Sequence, residues 1–124
     1  MSDLTYRDEK TFVQRSRESI SIQQKFPGRI PIIVERAEKS DVPMIDKKKF
    51  LCPDTLTIGQ FIYVIRRRLI LPPEKALFVF VKNTLPTASS LLKEVYTKYH
   101  DSDGFLYVTY AGESTFGFGR STNV

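Results

Sequence analysis

Cysteine is almost absent from this chain: Cys52 is the only one in 124 residues. A single thiol excludes an internal disulfide and a thiolate metal cage, and it fits a reducing, cytoplasmic compartment. The opening Met1-Ser2-Asp3-Leu4-Thr5 lacks the basic and apolar regions of a signal peptide. No stretch approaches the roughly 20 apolar residues that span a bilayer, so membrane residence is expected only through a partner or a covalent anchor. His100 is the one histidine. Its pairing with Cys52 is the only conventional base and nucleophile combination, and the two fall on unrelated segments with no supporting motif. No catalytic residue, metal or cofactor is therefore expected.

What is present describes an average globular domain, 41% hydrophobic and 27% charged. A chain of this length holds one core and buries about two-thirds of the surface it exposes when unfolded. The net charge of +5 is placed unevenly: residues 1–68 carry 14 Lys and Arg against 9 Asp and Glu, and residues 69–124 carry 5 against 5. A basic half favours acidic partners, whether a peptide, a tubulin-like surface, a lipid headgroup or RNA, and by itself does not choose among them. No motif of a nucleic-acid fold accompanies it and acids are interspersed, so specific nucleic-acid binding is not expected.

Along the chain, Phe12 to Lys25 reads as a weakly amphipathic helix with Val13, Ile20 and Ile22 scattered through it, ended by Phe26-Pro27-Gly28. Residues 3–9 can add a short helix before it. Arg29 to Glu35 reads as a strand, with Ile30, Ile32 and Val34 on one face and Pro31 and Ile33 on the other. Its proline places one side at an edge or bulge. A loop over Ala37 to Lys48 leads to a second strand, Lys49 to Pro53.

The clearest helix opens at Thr57, with Gln60 in capping-box spacing, and shows an apolar face at Ile58, Phe61, Ile62, Ile65 and Leu69. Arg66, Arg67 and Arg68 suit its C-terminal end, and Pro72-Pro73 stops it. Leu77 to Val81 reads as a buried strand. A last helix, capped by Ser89 or Ser90, runs through Leu91, Leu92, Val95 and Tyr99. Asp101-Ser102-Asp103-Gly104 is a turn before a final strand, Phe105 to Ala111. The order helix, β, β, helix, β, helix, β is an α+β pattern compatible with a β-grasp carrying a helical N-terminal extension. After Ala111 the patterning dissolves, and Phe-Gly occurs twice, at Phe116-Gly117 and Phe118-Gly119.

Several of these segments, at their spacing, resemble one family: Arg29-Ile30-Pro31-Ile32-Ile33, Glu38-Lys39-Ser40-Asp41, Asp46-Lys47-Lys48-Lys49-Phe50-Leu51, Leu56-Thr57-Ile58-Gly59-Gln60-Phe61 and Asp103-Gly104-Phe105-Leu106-Tyr107-Val108. The resemblance, from Phe12 to Gly117, is to the autophagy ubiquitin-like modifiers, which include the microtubule-associated protein light chains and the GABA-receptor-associated proteins. It implies a ubiquitin-like β-grasp with two additional N-terminal helices. Residues 1–28 would be the helical extension, 29–112 the β-grasp, and 113–124 a tail removed in part on maturation.

The resemblance further implies trimming by a cysteine protease, then handling by ubiquitin-like activating and conjugating enzymes that join the new terminal glycine to phosphatidylethanolamine. The product would sit on the autophagosome membrane, with delivery to the vacuole or lysosome, and would recruit cargo receptors and adaptors bearing a short motif of one aromatic and one aliphatic anchor. Tubulin binding can coexist with that role. A glycine on an extended tail suits this chemistry, because it has no side chain to obstruct narrow enzyme channels. The family register selects Gly117, with Phe116 as the protease's apolar anchor, and Gly119 before Arg120 is the alternative.

Carried residue by residue, the resemblance assigns an aromatic pocket to Glu18, Ile22, Pro31, Ile33, Lys49, Leu51 and Phe105. An aliphatic pocket falls on Phe50, Cys52, Pro53, Leu56, Phe61 and Val64, where Leu56, Phe61 and Val64 are expected to serve the core as well. Arg29, Lys47 and Arg68, with Lys49, would meet acidic residues preceding the anchors. Cys52 stands where a branched aliphatic residue is expected and should act as a small hydrophobe. Leu77, Phe78 and Val79 match a second family site, for helical motifs, but read more strongly as core strand.

Overall fold

Among the described residues, a threonine hydroxyl caps three of the four helices. The computed structural model describes residues 4–113, and in it Thr5, Thr11 and Thr57 each accept from the backbone N–H three residues on. In return Asp8, Gln14 and Gln60 accept from the N–H of the threonine. These reciprocal bonds satisfy orphan donors and set the starts of α1 (Tyr6–Glu9), α2 (Phe12–Lys25) and α3 (Ile58–Leu69).

The fourth helix, α4 (Leu92–Tyr99), corrects the sequence reading, because neither Ser89 nor Ser90 caps it. Its N-cap is Leu91, whose N–H donates to Glu94 Oε1 at 2.9 Å. The backbone of Ser90 is committed elsewhere: its N–H donates to Thr87 and its carbonyl accepts from Ile58, tying this segment to the start of α3.

Four strands, β1 (Arg29–Arg36), β2 (Lys49–Pro53), β3 (Phe78–Phe80) and β4 (Leu106–Ala111), form one mixed sheet in the order β2-β1-β4-β3. β1 and β2 make the expected long-looped antiparallel pair, and β1 lies parallel to β4 at the centre. β1 runs one residue past its expected end because Arg36 pairs with Tyr110. It is an interior strand, yet its pairing with β4 starts only at Ile32. Pro31 therefore has a strand partner on one side alone, where a missing N–H is tolerated.

The alternation of β1 divides the core. Ile30, Ile32 and Val34 pack with Phe50 and Cys52 against Ile58, Phe61, Ile65 and Leu69 of α3. Those four helical side chains are each at most 7% exposed. Burial at this level contributes about 1.5–3 kcal/mol per side chain. On the opposite face Ile33 and Phe105 pack with Tyr6, Ile22 and Tyr107 under the N-terminal helices.

α2 meets that face with polar residues. Arg15 and Ser19 are its buried positions, while Val13 and Ile20 are 54% and 53% exposed. Arg15 Nε donates to the buried Asp103 carboxylate at 2.9 Å, and Ser19 donates to the Asp103 carbonyl. Gly104 lies at φ +95°, and a Cβ there would collide with the Ser19 hydroxyl. Only glycine lets the turn reach α2 so closely. Arg7 extends the contact through a 2.5 Å ion pair with Asp101 and a position 3.9 Å over the Tyr107 ring.

Candidate functional site

β2 is an edge strand, so one row of its backbone groups has no strand partner among the described residues. Such an edge accepts an added strand. Pairing brings Lys49 opposite Ile33 and Leu51 opposite Pro31 on the α2 face, and Phe50 opposite Ile32 and Cys52 opposite Ile30 on the α3 face. The two proposed pockets thus flank one edge from opposite sides of the sheet.

On the α2 side, Glu18 sits at the centre of a polar cluster. Its carboxylate accepts from Lys49 Nζ and from the Tyr6 hydroxyl, while the Tyr6 ring meets Phe105 edge-on with centroids 5.5 Å apart. Burial would raise the Glu18 pKa, but the bonds from Lys49 and Tyr6 outweigh it and hold the carboxyl below the ordinary range. Ile33 and Phe105 are fully buried and can only form a floor, whereas Glu18, Ile22, Lys49 and Leu51 are partly accessible. Tyr6 is the residue sequence reasoning missed. Its only signal was the short helix over residues 3–9.

On the α3 side, Phe50 packs edge-on against Phe61 at 6.1 Å, and Leu56 and Val64 lie partly buried against the same cluster. Phe61 is wholly core, so the accessible surface comes from its neighbours. Pro53 is exposed at the end of β2 and shares the strand parity of Lys49 and Leu51, away from Phe50 and Cys52. Burial pushes the Cys52 thiol up to about 11, against smaller opposing effects from Lys47 and Arg29, so it stays protonated at neutral pH.

The expected cations have separate surroundings. Lys47 Nζ lies 5.2 Å from the Phe50 ring centroid, and Arg68 Nε pairs with Asp46 at 2.9 Å. Arg29 is exposed where β1 begins. Val79 is core and Phe78 and Leu77 are half-buried, in keeping with the strand reading of that segment. Phe116, Gly117 and Gly119 lie outside the described residues.

The mixed sheet, crossover helix and open edge beside two apolar patches define a ubiquitin-like protein. Comparison with known proteins narrows the class: residues 14–117 match the family described as "Autophagy protein Atg8 ubiquitin like". The chain is 56% identical over 114 residues to Autophagy-related protein 8 of Candida glabrata, an alignment covering 92% of this chain and 97% of that one. It is 55% identical over 117 residues to Autophagy-related protein 8c of Arabidopsis thaliana, covering 94% and 98%. Among solved structures, Trypanosoma brucei ATG8 superposes with a TM-score of 0.83 at 40% identity, over 89% of this chain and 95% of that one. Plasmodium falciparum Atg8, solved in complex with a Plasmodium falciparum Atg3 peptide, gives 0.83 at 34% identity over 90% and 98%. The chain belongs to the Atg8 family of autophagy ubiquitin-like proteins.

Proposed function

We propose that this protein is a conjugated modifier without catalytic activity of its own. A cysteine protease trims it to Gly117, activating and conjugating enzymes transfer that glycine to phosphatidylethanolamine, and the lipidated form works on the autophagosome membrane before delivery to the vacuole or lysosome. There it gathers cargo receptors and adaptors through the β2 edge. The observation that carries the docking half is the open, basic β2 edge with accessible apolar surface on both faces. Successive residues of a strand point to opposite faces. A peptide paired to β2 therefore reaches both pockets only if its two anchors are separated by an odd number of positions. Acidic residues before the anchors suit Lys47, Lys49, Arg29 and Arg68. The Atg3 peptide bound to the Plasmodium relative supports a conjugating enzyme among the partners.

Intact-mass measurement after protease treatment tests the maturation half. A chain shortened by the seven residues after Gly117 agrees with it, and loss of five would move the acceptor to Gly119.

A further inference from the structure

Between the segment before α1, the end of β1 and the loop that leads to β2, the structure holds a cavity of about 480 Å³. Leu4, Ala37, Glu38, Met44, Ile45 and Lys48 are among its walls. Leu4 and Met44 are 62% and 47% exposed, an apolar lining left open to water. This cavity takes no part in the peptide docking described above.

The chain's own C-terminal segment leaves the sheet at its rim. Ala37 N–H donates to the Tyr110 carbonyl, and Gly112 N–H donates to Ser40 Oγ at 3.2 Å. A Cβ on Gly112 would press on Asp41 and Val42, so the backbone passes tightly against the loop that follows Ala37. Phe118 lies six residues beyond Gly112, a reach of up to about 20 Å. From Ala37 to Val34, at the deep end, β1 travels only about 10 Å. Six residues can span that distance with slack, whereas the four residues to Phe116 would have to be nearly taut. Arg120 follows by two residues, and Glu38 offers it a carboxylate, exposed on the rim with no ion-pair partner among the described residues, although Arg36, Lys39 and Lys48 line the same cavity.

We propose that in the full chain Phe118 docks in this cavity against Met44 and Leu4, with Arg120 beside Glu38. The C-terminal segment is then an intramolecular ligand. A cut after Gly117 would remove it and open the cavity, so the cavity is filled before maturation and vacant after it. The docking itself does not depend on the conjugation reading.

Met1 and Met44 are the only methionines, so methyl-labelled methionine gives a two-signal NMR spectrum, assigned with Met44→Leu. The full chain should show the Met44 methyl shifted upfield by the Phe118 ring relative to a chain ending at Gly117. Phe118→Ala should match the truncated chain, and Phe116→Ala should keep the shift. Identical Met44 signals in the full and truncated chains overturn the proposal. So does a shift that fades on dilution, which marks a second copy as the occupant. A shift that survives truncation but disappears when residues 1–3 are removed assigns the cavity to the N-terminus and equally overturns it. None of these readouts involves lipid transfer, so they stand or fall apart from Gly117 conjugation.

Discussion

Lys49 of β2 and Glu18 of α2 form an ion pair across the proposed docking edge, and Tyr6 donates to the same carboxylate. An incoming acidic peptide must compete with Glu18 for Lys49. Glu18→Gln should therefore tighten binding of an acidic, hydrophobic peptide roughly twofold to threefold, and Lys49→Glu should weaken it about tenfold, or ~1.4 kcal/mol. Calorimetric titration of both variants decides this. Weaker binding by Glu18→Gln would show that Glu18 helps form the site.

The same carboxylate sets a pH dependence. Its pKa is depressed in the folded protein, so its stabilising link is complete above the ordinary glutamate pKa and is lost as pH falls from there through the lowered folded value. An NMR titration followed through the Lys49 and Tyr6 signals should find the Glu18 midpoint below the ordinary glutamate value. A midpoint at or above the ordinary value would contradict the linkage.

Asp103 anchors the N-terminal helices from inside, accepting from Arg15, from the Tyr107 hydroxyl and from the Phe105 N–H. Asp103→Ala strands the buried Arg15 and should cost about 3–5 kcal/mol in urea unfolding. Arg68→Ala, which breaks an exposed pair, should leave the midpoint unchanged.

Ile70 closes α3 in the left-handed region at φ +56°, with 87% of its surface exposed. A β-branched residue is strained there, and its side chain contributes little packing. Ile70→Gly should stabilise the protein by about 0.5–1 kcal/mol on thermal unfolding. A destabilised variant would mean that Ile70 packs against something the exposed position does not suggest.

Cys52 should be inert. Its raised pKa and its burial against the α3 core predict negligible alkylation by iodoacetamide at neutral pH unless the protein is unfolded. Cys52→Val, which restores the branched residue expected at this position, should change stability by less than about 1.5 kcal/mol. Rapid alkylation of the folded protein would refute the account of this residue.

Legibility in the sequence followed the range of the forces involved. α3 was plain because its cap and apolar stripe are local, and β1 because alternation within eight residues assigns both faces. α2 reads only as weakly amphipathic because its buried positions are Arg15 and Ser19, residues that look like surface until Asp103 arrives from the other end of the chain. The cap of α4 departs from the serine that its sequence suggests, because the bond that forms is from the Leu91 N–H to the Glu94 carboxylate reaching back. In the candidate site, the two pocket assignments come from the resemblance. The Tyr6–Glu18–Lys49 cluster does not, because three distant segments meet only in the folded sheet.

The central claim is most directly tested by reconstituting conjugation with the full chain, a chain ending at Gly117 and the Gly117→Ala variant. Mobility and intact mass are read after incubation with protease, activating and conjugating enzymes and vesicles containing phosphatidylethanolamine. The first two should each yield one lipid-linked species of the same mass, and Gly117→Ala should yield none. Normal lipidation of Gly117→Ala, or failure of the Gly117-ending chain to accept lipid, would contradict the account.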